Sequence, residues 1–165
     1  MTEQDRHLSP GIMDYLARGA EAVMVFLTIC MVTLVTYQVF ERYVLHYTPP
    51  WSEEAAVYLM VWFGIIGIAA GVRRNSHMAL HFFADKFPAG MQKGLTIIKY
   101  LLILGYTGVL VKEGFAMVQL TMSQKSPAMG MPVGYVYLAL PVSAILIILF
   151  TLEMLVKELK KGRSN

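Results

Sequence analysis

Residues 55–72 read AAVYLMVWFGIIGIAAGV, a run without Asp, Glu, Lys, Arg or His. At 1.5 Å of helical rise per residue, it comes close to the roughly 20 residues needed to cross a hydrocarbon core about 30 Å thick. Within lipid, only a helix or a closed barrel satisfies every backbone hydrogen bond. The same signature recurs at 22–40 and 126–152, and again at 94–111, where Lys99 is the one charge. The chain therefore reads as an all-α membrane protein. It forms a single four-helix domain over 1–165, with spans at about 20–44, 53–72, 94–113 and 134–153.

Composition agrees. Hydrophobic residues make up 56% of the 165 positions and charged residues 15%, against about a quarter charged in soluble domains. The lone cysteine, Cys30, excludes an internal disulfide and a cysteine-cluster metal site. The first apolar run lies behind a polar segment of mixed charge, and Ile29 precedes Cys30. The run is expected to be a retained helix rather than a removable leader.

The basic residues give an orientation. Arg6, Arg18, Arg73, Arg74, Lys86, Lys93, Lys157, Lys160, Lys161 and Arg163 fall at the two termini and in the middle connection, whereas the alternate loops hold only Arg42, Lys112 and Lys125. Cytoplasmic segments collect Lys and Arg, so both termini are expected in the cytoplasm. Tyr43, Tyr47, Trp51, Tyr135 and Tyr137 then fall in the aromatic belt of the opposite interface.

Between the spans the local signals are ordered. Ser9-Pro10 followed by Ile12, Met13, Leu16 and Ala20 suggests a short interfacial helix over about 9–18 feeding the first span. Pro49-Pro50 closes a loop, Ser52 is the expected N-cap, and Glu53 and Glu54 sit where a helix N-terminus favours carboxylates. Gly67 and Gly71 form a G-x-x-x-G pair, with Gly64 one turn before, for close helix approach. This face fits packing within the bundle better than self-dimerisation. Trp62 is large for a bundle interior; the two readings are a lipid-facing position and a seam with another protein, the seam being favoured. Residues 77–87 pattern as an amphipathic interfacial helix, with His77, His81 and Asp85 on one face and Leu80, Phe83 and Phe87 on another. The His-His-Asp spacing also fits a zinc site, but the wet side of an interfacial helix explains it more simply. Arg73 and Arg74 stand at lipid-phosphate level, Lys99 is close enough to the inner end of its span to snorkel, and Pro141 is expected to kink the last helix.

Reaction centres are missing from the pattern. All four histidines lie outside the spans, so no pair at mid-depth can hold haem, and there is no dithiol. No carboxylate lies at the centre of a span, where ion-driven transporters usually place one, although backbone carbonyls can also bind sodium. Four helices are few for an inverted repeat around a substrate. No cofactor and no nucleic-acid partner are expected. A chain that crosses the membrane without a working centre reads as a subunit.

Three motifs then point to one family. Trp51-Ser52-Glu53-Glu54 ahead of a glycine-rich span with Trp62 resembles the W-x-E-E opening of the small membrane subunit of TRAP (tripartite ATP-independent periplasmic) transporters. Arg73 or Arg74 with His77 and Asp85 resembles that family's Arg…His…Asp segment, with Ala79-Leu80-His81 departing from its usual basic-then-acidic pair. Ser126-Pro127-Ala-Met-Gly130-Met-Pro132, with Tyr137 and Pro141, resembles its signature before the last helix. The likeness runs in order over about 15–155.

The resemblance implies a bacterial inner-membrane subunit of a sodium-driven importer of organic acids, with sialic acid slightly favoured over C4-dicarboxylates. It implies a large membrane subunit as obligate partner, holding the substrate and sodium sites, and a periplasmic binding protein that delivers the substrate. On this reading Trp51, Glu53, Glu54, Trp62, Gly64, Gly67, Gly71, Pro127, Gly130, Pro132 and Pro141 serve packing or partner contact. Arg73, Arg74, His77, Phe82, Phe83, Phe87 and Lys99 serve anchoring to phospholipid, and removing Phe82, Phe83 and Phe87 is expected to weaken assembly or uptake. A small self-dimerising exporter and a membrane redox or regulatory protein remain the alternatives.

Overall fold

The computed structural model describes residues 12–75 and 89–161. Helix α1 runs Ile12–Phe40 and continues into a π-helical turn, Glu41–Leu45. It ends at His46, whose positive φ of 52° closes the turn by directing its N–H back to the Glu41 carbonyl. Residues 12–18 are the first turns of α1 rather than a separate element, since no proline interrupts the chain between them and the span. The expected interfacial segment at 77–87 lies outside the described residues, as does the Ser9-Pro10 start.

Helix α2 spans Pro50–Asn75 and α3 spans Ala89–Thr121. A compact connection leads to the single turn α4, Gly134–Tyr137, and then to α5, Ala139–Lys161. The start of α2 differs from the sequence expectation. Pro50 occupies the first turn, where a missing N–H costs nothing, and the Ser52 hydroxyl donates to the Pro49 carbonyl at 2.8 Å instead of accepting as an N-cap. The break between α4 and α5 at Leu138 falls where Pro141, lacking an N–H, leaves the Tyr137 carbonyl without its helical donor.

Four of these helices are long and apolar enough to cross a membrane. They pack as a row rather than a closed square: α1 on α2, α2 on α5, and α5 on α3. The chain thus doubles back so that its last helix fills the centre. The buried side chains follow, with Ser143, Ala144, Ile147, Phe150, Thr151 and Met154 all on α5. On one side of the row, α2 and α3 flank α5 around an open apolar groove of about 480 Å³.

Small residues set the close approaches. A methyl group on Gly67 would stand 3.5 Å from Met24 Cε, where α1 meets α2, and one on Gly114 would stand 3.1 Å from Pro141 Cδ, where α3 meets α5. Gly134 is tighter. Its added methyl would lie 2.8 Å from Met122 Sδ and 3.0 Å from the Val118 carbonyl oxygen. Met122 can swing aside, but a helix carbonyl cannot. Gly134→Ala is therefore expected to destabilise the protein by about 1–2 kcal/mol through overpacking, read as a lower melting temperature in detergent. An unchanged melt would show that α4 relocates freely.

Several threonine hydroxyls are satisfied within their own helices, whereas the buried Tyr58 and Thr151 hydroxyls have no partner among the described residues. Thr28, Thr33 and Thr36 on α1 each donate to the carbonyl four residues earlier at 2.8 Å. Thr107 and Thr121 on α3 do the same at 2.7 and 2.6 Å. One bond crosses between helices at depth: Ser143 Oγ on α5 donates to the Ile65 carbonyl on α2 at 2.7 Å.

Candidate functional site: the two stitched membrane faces

The residues singled out by sequence divide between the two ends of the row. Glu54 lies at the start of α2, and the 126–132 connection is folded by its own backbone bonds: Ser126 N–H to Met131 O at 2.9 Å, Gly130 N–H to Ser126 O at 3.1 Å, and Val133 N–H to Gln124 O at 2.9 Å. Gly130 takes a φ of 66°, a left-handed conformation that side chains with a Cβ rarely adopt. Into this turn the Glu54 carboxylate accepts from the N–H groups of Ala128 at 3.2 Å and Met129 at 2.8 Å. The W-x-E-E and S-P-x-x-G-x-P motifs, more than seventy residues apart, are thus the two halves of one joint.

Around that joint, Gln38 on α1 donates to the Ser52 carbonyl at 2.6 Å, and the Tyr37 and Trp51 rings lie 6.2 Å apart. The Trp62 indole, assigned by sequence to a partner seam, donates to the Tyr135 carbonyl of α4 at 3.2 Å. Glu53 points outward. Pro127 is exposed at the tip of the connection, and Pro132 is half-buried in its antiparallel bridge with Lys125. Pro141 is buried against Gly114. Glu54→Ala is expected to loosen this joint, since it strips a charged acceptor from two backbone donors. Faster proteolytic nicking between 126 and 132 would report it, and equal nicking rates in both proteins would reject the clamp.

The opposite end carries the basic residues. The Arg73 guanidinium donates to the Met13 carbonyl and to Asp14 of α1. The same group lies 3.9 Å from Glu153 of α5 and 5.2 Å from the centre of the Phe150 ring. One side chain thereby joins α1, α2 and α5. Arg74 forks onto Glu21 at 2.8 and 3.2 Å, and Lys157 pairs with Glu153 at 2.7 Å. Sequence assigned Arg73 and Arg74 to lipid phosphate; the structure engages both with carboxylates of their own chain. Arg73 is mostly covered, with 21% of its side chain accessible, whereas Arg74 at 72% retains a free edge.

The glycine series does not act as a unit. Gly67 faces Met24, whereas Gly64 and Gly71 meet nothing among the described residues that an added methyl would touch. Gly71 instead borders an open groove of about 390 Å³ between α1 and α2, beside Glu21 and Arg74. Lys99 lies 4.6 Å from the centre of the neighbouring Tyr100 ring. His77, His81, Phe82, Phe83, Asp85 and Phe87 lie outside the described residues. Among the described residues no three His, Cys, Asp or Glu side chains cluster for a metal.

Sequence reasoning missed the acceptors Asp14, Glu21 and Glu153 at one end, and the donors Gln38 and Ser143 elsewhere. It also missed Glu41, buried where α1 passes into its π-helical turn. The available signal was charge balance. Two arginines closing a span call for carboxylates at matching depth, and Asp14, Glu21 and Glu153 lie at the same ends of their own apolar runs.

The architecture defines a class: a small multi-pass membrane protein whose charged side chains at both ends hold its own helices together. The sequence profile of the family described as "Tripartite ATP-independent periplasmic transporters, DctQ component" matches residues 31–161. The chain belongs to this family and is a multi-pass protein of the bacterial inner membrane. It is similar to the sialic acid TRAP transporter small permease protein SiaQ of Vibrio cholerae, 25% identical over 140 residues that cover 85% of this chain and 81% of the relative. It is 26% identical to the isethionate TRAP transporter permease protein DctMQ of Oleidesulfovibrio alaskensis, covering 81% of this chain but only 22% of that longer protein. It is also 26% identical to the C4-dicarboxylate TRAP transporter small permease protein DctQ of Rhodobacter capsulatus, covering 57% of this chain and 42% of the relative.

Proposed function

We propose that this chain is the bracing subunit of a TRAP importer, supporting a larger membrane subunit that carries substrate and coupling sodium, with no substrate site of its own. The observation that carries this reading is the use of the motif residues. Glu54, Trp62 and Arg73 are all committed to holding helices together. The family assignment supplies the transport system. The long DctMQ relative supports a large-subunit partner, because a homologous segment there is part of a much longer permease.

The face bearing Arg73 and Arg74 then lies in the cytoplasm with both termini, in keeping with the distribution of Lys and Arg. A periplasmic binding protein delivers the substrate from the other side. The cargo is an organic acid. Sialic acid is the first candidate, because relatives with that name align over most of this chain, and C4-dicarboxylates are the second.

The test is reconstitution in liposomes with an imposed sodium gradient. This chain alone is expected to give no uptake of either acid. The chain with its large subunit and binding protein is expected to give sodium-dependent uptake of one of them. Solute flux through liposomes containing this chain alone would instead establish the self-dimerising exporter.

A further inference from the structure

Two apolar runs bracket the bilayer in this fold. On α1 the charge-free segment lies between Glu21 and Glu41, and on α2 it lies between Glu54 and Arg73. Each is about 30 Å long at 1.5 Å per residue, which matches the hydrocarbon core. Interhelical contacts carry that depth scale to α3. Ile65 is near the middle of the α2 run and bonds Ser143 on α5; two residues before Ser143, Pro141 packs against Gly114 of α3.

Lys112 and Glu113 immediately precede Gly114, so they lie in the middle part of the bilayer. The far end of α3 supports this placement, since Thr121 lies about 14 Å further along the helix. The sequence alone leaves open whether this pair lies inside or outside the bilayer, because an apolar count cannot see where a long helix is pinned.

Both side chains are open, with 85% and 61% of their surface accessible. Among the described residues they find only each other, at 4.0 Å. An ion pair of that length, turned toward hydrocarbon at this depth, is strongly disfavoured, and charged residues in spans face protein or a water-filled cavity. The same open side of α3 carries Gly105 and Gly108 at helical spacing from Lys112, and an added methyl on either would touch nothing among the described residues. The other edge of the row is unlike it. The 22–40 run of α1 has no charge, and its threonine hydroxyls are satisfied by their own helix, so that edge suits lipid.

We propose that the open face of α3 around Gly105, Gly108, Lys112 and Glu113 is the docking surface for a transmembrane helix of the large permease subunit. That helix presents polar or charged groups complementary to Lys112 and Glu113, and the glycines let its backbone come close. This inference rests on the bracing-subunit reading and adds to it the edge of the row at which the partner binds. The ions are matched by protein rather than exposed to acyl chains.

The experiment uses the full complex, co-expressed and purified through a tag on this chain. Gly108→Leu and the double variant Lys112→Leu/Glu113→Leu are expected to reduce the recovered large subunit about tenfold or more, as losing a matched buried charge contact does. The melt of this chain purified alone is expected to hold, because neither site touches its own fold. Val32→Trp on the α1 edge is expected to leave recovery unchanged. A photoactivatable phenylalanine analogue in place of Gly108 is expected to form an adduct with the large subunit, and one in place of Val32 is not.

An adduct between two copies of this chain, an adduct with lipid alone, or full recovery in both α3 variants would each overturn the proposal. If the unmodified chain recovers no large subunit, the bracing-subunit reading itself fails. If it does and the α3 variants recover as much, only the docking face fails.

Discussion

Arg73→Ala is expected to lower the stability of the protein by about 3 kcal/mol and to loosen the start of α1 from the row. The side chain is mostly covered and makes three separate attachments: the Met13 carbonyl and Asp14 on α1, Glu153 on α5, and the Phe150 ring. A charge-assisted hydrogen bond contributes about 1.5–3 kcal/mol, and truncating one partner also strands the others. Asp14 remains nearly half exposed, so solvent recovers part of its loss. Arg73→Lys is expected to recover less than half of the loss, because a single ammonium cannot reproduce a planar fork that reaches a carbonyl and a carboxylate together. Thermal unfolding in detergent, with protease accessibility of the α1 start as a second reading, checks both variants. Equal melts for the alanine variant and the parent would mean that this end is held by something other than Arg73.

Phe150→Ala is the second large effect, at about 2–3 kcal/mol. Phe150 is fully buried and forms the terminal-face core with Tyr100 and Met154. In a soluble protein, removing such a ring costs about 3–5 kcal/mol. Within lipid the water-transfer part is absent, and what remains is lost packing and the void. The two sites touch, so their effects are not expected to add. A double variant is expected to fall short of the sum of the singles by about 0.5–1 kcal/mol, the size of a cation–π contact at a partly exposed site. Strict additivity would remove the Arg73–Phe150 contact from the account.

What the residues reveal in advance depends on how local the cause is. The four spans follow from hydropathy and length, and the Pro141 break follows from the chemistry of one residue. The family likeness was carried by short motifs whose order survives where overall identity is about a quarter. The partners of those motifs were not legible. Glu54 was read as a helix-start carboxylate, which its position allows, but its acceptor role depends on the Gly130 turn being folded back against it more than seventy residues later. Arg73 and Arg74 were read against lipid, because nothing local says that α1 begins early enough for Asp14 and Glu21 to lie beside them. Ser52 misled for a simpler reason: Pro50 is an equally good helix starter and stands two residues earlier. Lys112 and Glu113 are the instructive case, since the depth inferred for them rests on contacts of α3 with α5 and of α5 with α2.

A file of helices has a mechanical property that a cylinder of the same mass lacks. With neighbouring axes about 8–10 Å apart, a line of four is a plank tens of ångströms broad and one helix thick. Such a plank resists rocking in the plane of its broad side far more than across it. Bolted by one narrow margin to a moving neighbour, it would act as an outrigger, spreading any sideways thrust across a wide front of surrounding lipid.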